Sequence, residues 1–468
     1  MENRSIHGMW SSRLMFILAA TGSAVGLGNI WRFPYITSDN GGGAFVLVYL
    51  LCIAIVGLPI LIGEVLIGRH GRLSPINSLR KIIKESNSSP GWVGLGWMGI
   101  LAGILILSFY SVVAGWTLNY SWIYFKQLFS STPIITDPSA TFTGMLGNAG
   151  ELTFWHSLFM LLTVAVVALG VEKGLERAVR WLMPALFLLL IALVVYGITT
   201  GFAGQAAEFL FKPDFSKITP KVLLAAMGQA FFTLSLGMCT MMAYGAYLPR
   251  EGVSIPGSGV AVALTDTGVA LLAGMAIFPI VLNYGINPAG GGPGLIFTSL
   301  PLAFNEMPLG TPYGLLFFGL LSVAAWTSSI SLLEPGTAWL VERFGVGSRK
   351  RAALMLSALS WLLGLMSVLS FNHWSHIKIL GRDVMSFIEF ISSDLMLPLG
   401  GLLIALFVGW SVRQAILRKE LPEMSPGLFN IWLWVVRILA PALVLLVLLR
   451  ALEPALKSLA GMVRVLFI

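Results

Sequence analysis

Apolar runs of roughly 18 residues or more, the length a helix needs to cross about 30 Å of hydrocarbon, recur along the whole of this 468-residue chain. Eleven spans are expected, near 13–37, 43–68, 91–125, 153–171, 178–200, 221–248, 260–285, 311–341, 352–370, 384–411 and 428–450. Composition agrees: 57% of the residues are hydrophobic and 11% charged, which is more apolar side chain than a soluble core of this size buries. The chain reads as an all-α polytopic membrane protein, a single domain over residues 1–468. A sixteen-residue tail, 453–468, is too short for a twelfth crossing.

Charge sets the expected orientation. With the N-terminus inside, the inner segments hold eighteen lysines and arginines and the outer ones nine, so the N-terminus is cytoplasmic and, after an odd number of spans, the C-terminus extracytoplasmic. The net charge of +8 then belongs to topology and anionic lipid, and no basic patch points to nucleic acid. Residues 1–12 are polar and the first apolar run is a span in its own right, so no cleavable signal is expected. Cys52 and Cys239 both fall within spans and read as packing residues rather than as a disulfide.

Enzymatic motifs are missing. The stretch GLGWMG at 94–99 fits a dinucleotide fingerprint by letter, but it opens a span without a preceding strand. His373 and His376 stand together in an outer loop with no third ligand nearby. No zinc-protease, nucleophile-elbow or phosphate-loop pattern occurs.

Two spans carry residues that oppose a continuous helix. In the first, GSAVGLGNIWRFPY (22–35), Gly22, Gly26 and Gly28 each cost about 1 kcal/mol relative to alanine. Close helix packing through Gly22 and Gly26 would explain the glycines alone, but Ser23 and Asn29 flank them and Arg32 follows one turn later. In the sixth span, QAFFTLSLGMCT (229–240), Thr233, Ser235, Gly237 and Thr240 interrupt a run otherwise apolar. Interrupted spans at matching places in two halves point to a secondary-transporter site, where freed carbonyls bind cations. Thr327 and Ser328 in the eighth span add hydroxyls, although such residues often bond their own helix backbone. Asp266 in the seventh is an intramembrane carboxylate, and such groups mark an ion or substrate path.

These residues resemble the neurotransmitter:sodium symporter family, of the LeuT type, over nearly the whole chain from Trp10 through the tenth span. The pieces that carry the resemblance are GLGNIWRFPY (26–35), NGGGAF (40–45), GQAFFTLSLG (228–237) and TSSIS (327–331). The resemblance implies an inverted repeat of five plus five helices, approximately 13–200 and 221–411, with an additional helix near 428–450 and with helices 1 and 6 unwound at mid-membrane. It implies two sodium sites: the first from Ala24, Asn29, Thr233, Asp266 and the substrate carboxylate, the second from Gly22, Val25, Ala324, Thr327 and Ser328. Both sets are all oxygen, which suits a hard cation.

The same resemblance implies a substrate pocket of Ser23, Ala24, Gly26, Leu27, Gly28, Ile106, Tyr110, Phe232, Thr233, Ser235, Leu236, Met238, Ser328 and Leu332. Relatives that carry monoamines have aspartate where this chain has Gly26, so the cargo here must bring its own carboxylate. Apolar walls then favour a hydrophobic amino acid: leucine, methionine or an aromatic one. Arg32 and Glu389 would close an outer gate above Phe232. Trp10 and Glu342 would form the inner gate, with His7 or Arg4 as its basic partner; a histidine there would make the gate responsive to cytoplasmic pH. Chloride-dependent relatives carry asparagine and serine where this chain has Asp266 and Ala270, so chloride-independent uptake is expected, with proton counter-movement if Asp266 protonates on return. Glu64 reads as a support for exposed amides of the sixth span, and residues 287–301 as a lid. The expected partners are the amino acid, sodium ions and the lipid bilayer of the plasma membrane, with the protein a monomer or weak dimer. An ion channel or amino acid receptor on the same scaffold is the alternative.

Overall fold

Segments apolar on every side form helices that face either protein or lipid all round. The computed structural model describes residues 6–130, 134–249, 252–285 and 295–450, and these are helical apart from turns and one isolated bridge between Ile379 and Arg382. The chain opens with α1 (Arg13–Ala24) and α2 (Gly28–Asp39), bent by 50° to each other. There follow α3 (Gly43–Gly71), α4 (Pro90–Gln127), α5 (Ala149–Ala168) and α6 (Val171–Thr199). Two short helices come next, α7 (Pro220–Thr233) and α8 (Thr240–Ala246). The remaining long helices are α9 (Ile255–Asn283), α10 (Gly310–Phe344), α11 (Arg349–Leu369), α12 (Val384–Ser411) and α13 (Pro426–Arg450), with shorter helices in the connections.

Nine helices among the described residues are long and apolar enough to cross a membrane, or ten with the bent pair counted as one. The interrupted span expected at 221–248 is two helices, and neither α7 nor α8 reaches crossing length alone. The expected gap between 171 and 178 also closes, because Glu172, Lys173, Glu176 and Arg177 lie in the first turns of α6 and not in a loop. The tail 453–468 lies outside the described residues, as do residues 287–294 of the expected lid.

Capping side chains start several of these helices: Ser12, Thr219 and Ser254 each accept a hydrogen bond from a first-turn amide. The two longest helices, α4 and α10, pack against each other, and α5 and α11 pack against both. On the other side α3 lies against α8 so closely that a Cβ on Gly68 would sit 1.9 Å from the Met242 carbonyl oxygen, and one on Gly245 2.5 Å from that of Val65. Between these groups run α1, against α6, α9 and α10, and the two interrupted segments. Cys52 and Cys239 are buried and free.

Candidate functional site

The first interruption begins where α1 ends at Ala24. Val25 turns into extended backbone (φ −73°, ψ 102°), and α2 starts at Gly28 with a π-helical turn. The freed amides find side chains: Gly26 N–H donates to Asn29 Oδ1 (3.2 Å) and Leu27 N–H to the Tyr110 hydroxyl (3.2 Å). The second interruption, 234–239, is longer and holds three residues in the left-handed region: Ser235 (φ 53°), Gly237 (82°) and Cys239 (62°). Here Gly237 N–H donates to Glu64 Oε1 at 2.7 Å, the support expected of that carboxylate.

Hydroxyls tie the two interruptions together. Ser23 Oγ lies 2.7 Å from Ser331 Oγ and 3.3 Å from Ser235 Oγ, and Ser235 Oγ donates to the Ser23 carbonyl (3.1 Å). Gln229 Nε2 donates to the Gly28 carbonyl at 2.8 Å. Beside them, Asp266 is fully buried in α9. Asn29 Nδ2 stands 2.7 Å from its Oδ1, and Thr233 Oγ1 stands 2.9 and 3.0 Å from its two carboxyl oxygens. Among the described residues no cationic side chain comes within 4 Å of Asp266. A buried carboxylate without a cation is costly by several kcal/mol, so this donor set fits a hard cation better than it fits a permanently paired charge.

The second expected ion set divides in two. Thr327 Oγ1 donates to the Ala324 carbonyl of its own helix (2.9 Å), the ordinary behaviour of a helical threonine. Ser328 Oγ instead lies 3.4 Å from both the Gly22 and the Val25 carbonyl oxygens, across the interface with α1. Those long contacts leave both carbonyls with accepting capacity.

A cavity of about 20 Å3 lies between these elements, lined by Ser23, Ala24, Gly26, Gly28, Ile106, Tyr110, Phe232, Ser235, Met238, Ser328 and Leu332. Leu27, Thr233 and Leu236 do not line it. Leu27 contributes its amide to Tyr110, and Thr233 faces Asp266. Leu236, one residue past the left-handed Ser235, is buried on the side facing Gly57 of α3, where its Cδ1 would lie 3.9 Å from a Gly57 Cβ.

Toward the end that carries Arg32, two carboxylates, Glu389 and Asp394, interact with its guanidinium. The carboxylate within 4 Å of Arg32 is that of Asp394 (3.6 Å), not Glu389, and the guanidinium also lies over the Phe232 ring at 4.7 Å. Residues 390–396 form a π-helix. Its i→i+5 bonding brings a residue five places past Glu389 toward Arg32, where α-helical spacing would not. At the opposite end Glu342 accepts from His7 (2.9 Å), Asn77 (2.6 Å), and both the amide (2.6 Å) and hydroxyl of Ser74. Arg4 lies outside the described residues. Trp10 is buried, its amide on the Tyr247 carbonyl (3.0 Å) and its indole on that of Tyr244 (3.1 Å).

The sequence reading missed Ser74, Asn77, Tyr244 and Tyr247. It also missed the Glu334–Arg349 ion pair (2.5 Å) that holds the Tyr247 hydroxyl, and a further cluster in which Arg69 and His70 hold Glu420. Burial alone would raise the Glu420 carboxyl, but hydrogen bonds from His70 and Arg69 hold it below its usual range.

Comparison with known proteins follows the same lines. The sequence model of the sodium:neurotransmitter symporter family matches residues 7–133 and 139–458. The uncharacterised sodium-dependent transporter YhdH of Bacillus subtilis is 37% identical over 448 residues, 94% of this chain and 96% of that protein. The sodium- and chloride-dependent taurine transporter of the dog is 28% identical, over 77% of this chain and 65% of its own length. Among solved structures, MhsT in complex with L-phenylalanine is 44% identical, with a TM-score of 0.86 over 95% of this chain and 99% of that one.

Proposed function

The chain belongs to the sodium:neurotransmitter symporter family, and from that premise we propose that it carries a hydrophobic L-amino acid, aliphatic or aromatic, into the cell with sodium and without chloride. The observation that carries this reading is Asp266, a buried carboxylate held by an amide and a hydroxyl from the two interruptions, with no cationic side chain beside it among the described residues.

In this reading Asn29, Thr233, Asp266 and the Ala24 carbonyl hold one sodium ion together with the substrate carboxylate. Ser328, Thr327 and the carbonyls of Gly22, Val25 and Ala324 hold a second. Sodium supplies the positive charge that the carboxylates lack and the gradient that drives uptake. Tyr110 offers its hydroxyl to the substrate carboxylate, and Gly26 leaves room for it: a Cβ there would lie 2.3 Å from Ser328 Oγ and 2.7 Å from the Tyr110 oxygen. The apolar side chain faces Ile106, Phe232, Met238 and Leu332. Binding of phenylalanine by MhsT, whose fold this chain shares, supports an aromatic or large aliphatic cargo. A cavity of about 20 Å3 is too small for such a side chain, so in this reading loading goes with a rearrangement of the lining, in which Phe232 packs against Gly28.

Release alternates with loading. Arg32, with Phe232 and either Asp394 or Glu389, closes one side; His7, Trp10 and Glu342 close the other. The reading counts eleven crossings, with α1–α2 and α7–α8 each one span interrupted at mid-membrane, in two inverted halves near 13–200 and 221–411, and with the N-terminus in the cytoplasm. Asp266 takes the charge-balancing place of chloride and returns with a proton.

Uptake of labelled amino acids into proteoliposomes tests this. Leucine, methionine or aromatic amino acids are expected to accumulate under a sodium gradient, and replacing chloride by gluconate to change nothing. Equal uptake in potassium-only buffer, or an ohmic current without accumulation, overturns the symport reading; collapse in gluconate overturns the chloride part.

A further inference from the structure

One arginine sits where nothing in the transport site uses it. Arg437 lies within α13, a helix whose most apolar window has a mean hydropathy of 2.5. A cation in such a span marks a site by default, because hydrocarbon offers it no partner. Among the described residues none of the ion pairs within 4 Å includes Arg437.

The surroundings are built around it. Both α12 and α13 change to a π-helical turn at the point where they meet, at Phe407–Ser411 and Val435–Leu439, and such turns concentrate at functional positions. Across that contact Arg437 Nε donates to the Gly409 carbonyl (2.5 Å), and Trp410 Nε1 donates back to the Arg437 carbonyl (3.1 Å). Gly409 is required by the approach, since a Cβ there would lie 2.9 Å from Arg437 Cγ. The guanidinium stands 5.6 Å from the Trp410 ring centre. This holds the guanidinium by one of its five N–H groups, while the side chain stays partly exposed. Trp410, Ile431, Trp434 and Ile438 are all exposed on these two helices, an apolar surface with two tryptophans, a residue type enriched where membranes meet water.

We propose that Arg437 and Trp410 form a binding site for the phosphate of a phospholipid, in the leaflet on the side of Arg413, where α12 ends. Bidentate contact from the remaining guanidinium N–H groups suits a phosphate, and Arg413, two residues past the end of α12, is the first cation after Trp410. The apolar side chains flanking Arg437 give the acyl chains a surface to lie on. The site is independent of the identity of the cargo.

Native mass spectrometry of the full-length protein tests the proposal after exchange into phosphatidylglycerol, followed by washing in detergent. Wild-type protein is expected to retain the lipid, Arg437→Gln to lose it several-fold, and Arg437→Lys to keep part of it. In parallel, phosphatidylglycerol is expected to raise the melting temperature of the wild type more than diacylglycerol, which lacks the phosphate; this arm decides even if Arg437→Gln does not fold. Retention by Arg437→Gln equal to wild type overturns the site, as does equal stabilisation by diacylglycerol. Displacement of the bound lipid by inorganic phosphate assigns the contact to a free anion and overturns the lipid reading.

Discussion

The two interruptions solve the same problem in opposite ways. Between α1 and α2 the helix lapses for three residues, 25–27, all with negative φ, and resumes through a π turn. Its amides go to Asn29 and Tyr110, while the Gly22 and Val25 carbonyls keep only long contacts to Ser328. Between α7 and α8 the backbone passes through three left-handed residues and rests an amide on the Glu64 carboxylate. The first interruption therefore leaves oxygen atoms available, and the second is occupied in holding itself. A short lapse makes ligands, whereas a long one needs a scaffold.

If that contrast is right, glycine to alanine should harm the two segments differently. The largest effect is expected at Gly237. With φ of +82° and a Cβ that would lie 2.3 Å from the Leu397 carbonyl oxygen, Gly237→Ala combines about 1–2 kcal/mol of left-handed strain with a clash against backbone that cannot turn aside. Loss of monodisperse protein on size exclusion is the expected result; a stable, transporting variant would break the comparison. Gly26→Ala comes next. Its backbone is unstrained, and its Cβ would meet side-chain atoms rather than backbone: the Ser328 oxygen, which can turn aside, and the Tyr110 oxygen, which gives only if the ring shifts. The variant should keep a melting temperature within a few degrees of wild type and lose saturable uptake. A large fall in melting temperature would mean that the first interruption, too, is structural.

Much of this was legible in the sequence because the signals were chemical. Apolar length gave the spans, and a carboxylate inside one of them singled out Asp266. The three glycines and Asn29 marked the first interruption, and Thr233, Ser235 and Gly237 the second. Eleven of the fourteen residues named for the pocket line one cavity. What stayed illegible depends on backbone geometry. Leu236 lies toward Gly57 one residue past the left-handed Ser235, and Asp394, in a π-helical turn, comes within 4 Å of Arg32 where Glu389 does not. The pocket and gate roles are implied by the family resemblance rather than read from periodicity, and both positions lie where the backbone departs from 3.6 residues per turn. Long-range partners such as Ser74 and Asn77 on Glu342, 268 and 265 residues away, carry no local signal at all.

Two milder substitutions sharpen the contrast. In Glu64→Gln the amide oxygen can still accept from Gly237, so the cost should be about 1 kcal/mol, the difference between a charged and a neutral acceptor. The expected readout is a modest fall in melting temperature with sodium dependence retained.

The smallest effect, and the most discriminating, is expected of Ser328→Ala. The hydroxyl's contacts to the Gly22 and Val25 carbonyls are long, 3.4 Å, and its other partner, the Tyr110 hydroxyl, keeps the Leu27 amide, so its removal should move stability little. If those carbonyls are cation ligands with Ser328 as a neighbouring oxygen, the sodium concentration for half-maximal uptake should rise several-fold, because one oxygen is lost from an all-oxygen set. The amino acid requirement at saturating sodium should change less. If instead the melting temperature falls and the sodium dependence stays as it was, Ser328 is a packing bond between α1 and α10. The first interruption would then be holding itself as the second does.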